Sequence, residues 1–93
     1  MQDIQINQSA TNTILSFYDN RLDYFYATSE KVGYSFHVGH IKSIEILTDK
    51  GGRHSLVVKT AYHTNKDDVG EQALPKVREL VAAVQEAMLT IKL

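Results

Sequence analysis

From position 74 onward the apolar residues recur at three- and four-residue steps: Leu74, Val77, Leu80, Val81, Val84, Met88 and Ile91. At about 100° per residue these fall on one stripe of an α-helix. Lys76, Arg78, Glu79, Gln85 and Glu86 lie off that stripe. Pro75 suits the first helical position, where its missing N–H costs nothing and its fixed φ is already helical. Lys92 stands where the negative end of a helix dipole favours a cation. The spacing therefore predicts an amphipathic helix over about 75–91, and such a helix needs a surface to lie on.

Everything upstream has the shorter period of strands. Thr13 to Tyr18 and Arg21 to Ala27 are rich in β-branched and aromatic residues, and Asp19-Asn20 between them is turn chemistry. A two-residue loop pairs Tyr18 with Arg21, Phe17 with Leu22, Leu15 with Tyr24 and Ile14 with Phe25. Leu15, Phe17, Leu22 and Tyr24 then share a core face. Ser16, Asp23 and the apolar pair Ile14 and Phe25 share the other.

A polar stretch over 28–33 leads to Tyr34, Phe36 and Val38, which alternate with Ser35, His37 and Gly39. The period breaks at Gly39-His40, so the chain is expected to bend there and enter a new strand at about 42–48. Lys50-Gly51-Gly52 is a hairpin signal. A three-residue loop opposes Asp49 with Arg53, Ile46 with Leu56, Ile44 with Val58 and His40 with Tyr62. That register turns Ile44, Ile46, Leu56, Val58 and Tyr62 inward and Ser43, Glu45 and Lys59 outward. The polar run 63–72 reads as the loop into the helix. Residues 1–12 show only weak alternation at Ile4 and Ile6, read as a frayed start or a short edge strand. The expected fold is α+β: an antiparallel meander or partly open barrel of five or six strands, capped by one C-terminal helix.

Composition narrows the function classes. At 93 residues the chain is the size of one domain. A net charge of −1 gives no overall bias toward nucleic acid or an anionic membrane. Without cysteine there are no disulfides and no thiolate metal sites. The opening Met-Gln-Asp-Ile-Gln-Ile has no basic n-region and no apolar h-region, and no apolar run nears the ~20 residues a bilayer span needs. A cytoplasmic soluble protein without a signal peptide is the expectation.

Three stretches together resemble the pleckstrin-homology-like fold, which includes GRAM domains. The first is the opening hairpin, Ile14-Leu15-Ser16-Phe17-Tyr18-Asp19-Asn20-Arg21-Leu22. The second is His40-Ile41-Lys42-Ser43-Ile44-Glu45-Ile46, similar to the I-x-x-I-x-I entry into a middle strand. The third is the closing helix from Pro75. The resemblance implies a barrel of commonly seven strands. It carries little of the family's lipid chemistry, because Asp19, Asn20, Arg21 and Asp23 stand where phosphoinositide-binding members place a basic cluster. The tryptophan frequent in the eukaryotic helix is also absent.

Few residues bring chemistry with them. In the expected register His63 opposes Gly39, so His37 and His63 become diagonal neighbours on the outer face. Two imidazoles still lack the third ligand and second shell that a zinc site requires. Ser16, Ser35, Ser43 and Ser55 have no base partner in the pattern, and no role of a catalytic constellation is filled. Asp67 and Asp68 have no further oxygen ligands beside them to hold a cation. The tyrosines sit among Asp19, Asp23 and Glu30, not in the basic groove of a single-strand nucleic-acid binder. The sequence thus points to a non-enzymatic binding or assembly module with no cofactor, whose partner is another protein or a second copy of itself. Its candidate surface is the apolar pair Ile14 and Phe25 together with the hairpin cations Lys50 and Arg53. The alternative is a peripheral membrane role, with the 50–53 tip meeting an anionic phospholipid headgroup.

Overall fold

The computed structural model describes residues 4–5, 13–26 and 32–91. The order is β1 (Ile4–Gln5), β2 (Thr13–Tyr18), β3 (Arg21–Tyr26), β4 (Val32–His37), a 3₁₀ turn (Val38–His40), β5 (Ile41–Thr48), β6 (His54–Thr60), β7 (Thr64–Val69) and α1 (Leu74–Thr90). The protein is α+β. β1 to β4 form one antiparallel sheet in chain order, β5 to β7 form a second, and the sheets are not joined into a closed barrel.

The first hairpin has the expected register, from Tyr18 opposite Arg21 to Ile14 opposite Phe25. Asp19 and Asn20 take φ of 55° and 59°. Both central residues in the left-handed region is what a two-residue hairpin needs to follow the right-handed strand twist. Leu15, Leu22 and Tyr24 are fully buried and Phe17 packs against the core. Of the two readings for residues 1–12, the short edge strand is the one found at Ile4–Gln5, which pairs with Leu15 and Ile14.

At Val38–His40 the chain turns the corner between the sheets, and Val38 N–H donates to Asn20 O at 2.9 Å. The second hairpin keeps Ile46 opposite Leu56 and Ile44 opposite Val58. An irregularity between Ile41 and Ser43 then puts Ile41 opposite Thr60. His40 and Tyr62 therefore do not pair, and Tyr62 is 99% exposed rather than inward. The bulge absorbs one residue, and β6 ends before Tyr62 is reached.

The largest departure is at 63–72. Thr64–Val69 is a strand, paired along its length with β6 from Lys59 opposite Thr64 to His54 opposite Val69. It makes β6 a central strand, so Ser55, Leu56, Val57 and Val58 are all buried. Leu56 and Val58 belong to the core. Val57, on the opposite face and 4% exposed, lies in register between Glu45 and Lys66.

Helix α1 begins with Pro75 in its first turn and closes the core with Val77, Leu80, Val81 and Val84. Leu74, Ala87, Met88 and Ile91 pack at the margin of that cluster. This is the stripe the spacing predicts. Lys92 lies outside the described residues. No helix among them is long and apolar enough to cross a membrane.

Candidate functional site

β5 is the edge strand of the second sheet, with β6 on one side and α1 packed against the other. Antiparallel strands turn the backbone groups of alternate residues to opposite sides. Gln85 Nε2 donates to Ile44 O at 2.9 Å, and Asp49 N–H donates to Arg53 O across the hairpin. Odd-numbered residues of β5 therefore bond to β6, while Ile44, Ile46 and Thr48 turn their N–H and C=O to the edge. Gln85 takes the Ile44 carbonyl. Beyond it, Ile46 and Thr48 face a groove between strand and helix.

Glu45, Ile46, Thr48, Arg78, Val81, Ala82 and Gln85 line this groove, which holds about 260 Å³. That is below the usual ~300–1,000 Å³ of a pocket that encloses a small ligand. It is partly open to solvent. Arg78, Ala82 and Gln85 are spaced four and three residues apart, so they project on one helical stripe. Ala82 is the small residue between two long ones on the helix side of the groove.

The residues singled out from sequence are dispersed. Ile14 and Phe25 pair across β2 and β3 and are only half-buried. Lys50 and Arg53 lie at the far hairpin and are exposed. There Asp49 Oδ1 accepts the N–H of Gly51 and of Arg53, both at 2.9 Å, and Gly52 N–H donates to Asp49 O. The Arg53 N–H, more than that of Gly51, holds the Asp49 carboxyl below its ordinary value of 3.8. This contribution is present above pH 3.8 and is lost as pH falls through the lowered value. The backbone N–H groups of Asp49, Gly51, Gly52 and Arg53 are thus engaged within the hairpin itself.

The histidines are not arranged as the simple register implied. His37 contacts His40, with ring centroids 6.1 Å apart, while His63 packs against Tyr34 at 5.9 Å. The corner at Val38–His40 and the bulge after Ile41 carry His37 and His63 to different neighbours. Gly39 N–H donates to His37 Nδ1 at 3.1 Å, so in the neutral ring the proton sits on Nε2. That tautomer presents a donor to solvent and not a metal-ligating lone pair. No group of three or more His, Asp or Glu residues able to hold a metal ion occurs among the described residues. Thr48 Oγ1 and His54 Nδ1 are 2.8 Å apart. They are a cross-strand pair in register.

Family models, curated proteins and solved structures were all compared with the chain, and none matches it.

Two acids behave differently from their sequence reading. Asp23 is 8% exposed, accepting from Ser35 Oγ at 2.6 Å and pairing with the exposed Arg21 at 3.2 Å. Asp67 points to the inner face of β7, opposite Leu56. Burial, and then the charge of Asp68, raise its pKa above 3.8. A carboxyl with a raised folded pKa favours folding below the unfolded value and loses that contribution as pH rises through the raised one. Asp67→Asn is expected to unfold at a higher temperature than the parent at pH 7. The gain should shrink as pH falls toward 3.8, measured by thermal melts across that range; a gain independent of pH contradicts the burial argument.

Proposed function

We propose that this protein is a non-enzymatic binding module that takes an extended segment of a partner protein along the open part of β5. The observation that carries this reading is the edge at Ile46 and Thr48, which turns backbone donors and acceptors into a trough floored by Val81 and Ala82. Strand addition gains affinity from main-chain hydrogen bonds and specificity from pockets for alternate side chains. Gln85 on Ile44 O ends the free edge and so limits the register in which a segment pairs. Seven strands in a four-plus-three arrangement followed by a helix also support the pleckstrin-homology-like resemblance, although fold alone assigns no partner.

Peptides selected from a displayed random library against the immobilised protein provide the probe. Ala82 is exposed on the helix, so Ala82→Trp fills the trough without touching the core. Binding of selected peptides is expected to weaken at least about ten-fold, roughly the 1.4 kcal/mol of one decade, while the melting temperature stays within a few degrees. Undiminished affinity in the Trp variant contradicts the proposal.

A further inference from the structure

Among the described residues β1, β5 and β7 stand beside β4 at the edges of the two sheets, and each of the three is short, partly occupied or charged. The described part of β1 is two residues long. β5 is flanked by α1, with Gln85 on one of its carbonyls. β7 carries Lys66, Asp67 and Asp68, and charged side chains on an edge are a common guard against pairing with another chain.

β4 is different. Its six residues, Val32-Gly33-Tyr34-Ser35-Phe36-His37, include no Lys, Arg, Asp, Glu or Pro. Its one irregularity lies at the Gly33 end, between the pairs Tyr24–Tyr34 and Phe25–Val32, which leaves 34–37 a regular strand. Gly33, Tyr34, Ser35 and His37 are exposed, and among the described residues β3 is its only strand neighbour.

The side of β4 that is open follows from its bonds. Val38 N–H reaches Asn20 O, so even-numbered residues bond toward β3; Ser35 turns its N–H and C=O outward and His37 its N–H, the His37 C=O being the first acceptor of the 3₁₀ turn. Aromatic surface borders this edge. Tyr34 is 42% exposed and touches His63, whose neighbour Tyr62 is 99% exposed. Exposed tyrosines beside the outer edge of β4 are what the centre of an interface offers.

We infer that β4 pairs antiparallel with β4 of a second copy of this chain, about a two-fold axis beside Phe36, making one continuous eight-stranded sheet. In that register the His37 N–H of each chain donates to the Ser35 C=O of the other. Phe36 meets Phe36 of the second copy as a directly opposed aromatic pair. An uncharged strand suits a two-fold partner, because every residue near the axis faces itself or a near neighbour and no like charges are opposed. The isologous contact closes after two chains and leaves the β5 trough free.

The test is the molar mass of the full chain by light scattering across a concentration series, with two variants. His37 has φ −72° and its N–H points to the open edge, so His37→Pro fits the backbone and removes that donor, together with the Nδ1 acceptor of Gly39 N–H and the ring contact with His40. Ser35→Lys places two ammonium groups at the new seam. The parent mass is expected to rise from the 10.5 kDa of one chain toward twice that value. Each variant should need at least ten-fold more protein to reach the same mass, with an unchanged far-UV circular dichroism spectrum. If His37→Pro misfolds, Ser35→Lys alone decides. A parent that stays at one chain's mass at every concentration overturns the inference, and so does association that both variants leave intact.

Discussion

Leu80→Ala is expected to lower the unfolding free energy by about 2–5 kcal/mol, the usual range for a Leu removed from a core that relaxes only partly. Leu80 is fully buried at the centre of the α1 stripe, between Val77 and Val84, which are also fully buried. Truncation therefore opens a void where helix and sheets meet. For a domain of this size 1 kcal/mol corresponds to roughly 4–8 °C, so the melting temperature should fall by about ten degrees or more. The exposed neighbour Glu79 is the control. Glu79→Ala should change the melting temperature by no more than a few degrees, and a comparable loss in both variants would mean that the stripe is not what holds α1 in place.

The second large effect separates a strand from a loop at 64–69. Thr60 N–H donates to His63 O at 2.9 Å, so even-numbered residues of β6 bond toward β7. Asn65, Asp67 and Val69 are then the bonded partners of Val58, Leu56 and His54, and Lys66 turns its N–H to the open edge. Asp67→Pro removes a ladder bond and leaves the buried Leu56 carbonyl without its donor, a loss of about 1–3 kcal/mol. Lys66→Pro removes an N–H that has no partner in the ladder, and edge positions of that kind tolerate proline. Urea unfolding of the pair is expected to show a clear drop in midpoint only for Asp67→Pro. Equal, small effects at both positions would mean that this stretch is a loop.

The same strand shows where sequence reasoning stops. Thr64-Asn65-Lys66-Asp67-Asp68-Val69 has the composition of a loop because an edge strand is guarded by the polar and charged residues that also mark loops. Its one apolar residue, Val69, is buried, and Asn65 is 8% exposed beneath a hydrogen bond to His63. Buried polar groups of this sort leave no apolar alternation to read. The first hairpin was legible because Asp19-Asn20 and the alternation of Leu15, Phe17, Leu22 and Tyr24 independently require the same register. The second was legible from Ile44 to the tip for the same reason. It failed beyond Ile41, where one bulge removed the pairing on which the placement of Tyr62 and the His37–His63 juxtaposition depended.

The trough had almost no signal in the sequence. Arg78, Ala82 and Gln85 fall off the apolar stripe and read as solvent-facing, and only the docking of α1 beside β5 turns them into a wall. One clue is Ala82, small between two long side chains at helical spacing. Gln85 gives none, since nothing local shows that its amide reaches a carbonyl 41 residues away. Ile14, Phe25, Lys50 and Arg53 were chosen for exposure and charge, and the structure spreads them over two distant hairpins.

The most direct test of the β5 reading is an isotope-edited NMR spectrum of the protein with a library-selected peptide bound. Cross-strand contacts from the peptide backbone to Ile46 and Thr48, with shifts at Ala82, are the predicted result. A bound peptide that leaves Ile46, Thr48 and Ala82 unshifted and contacts another surface would contradict it.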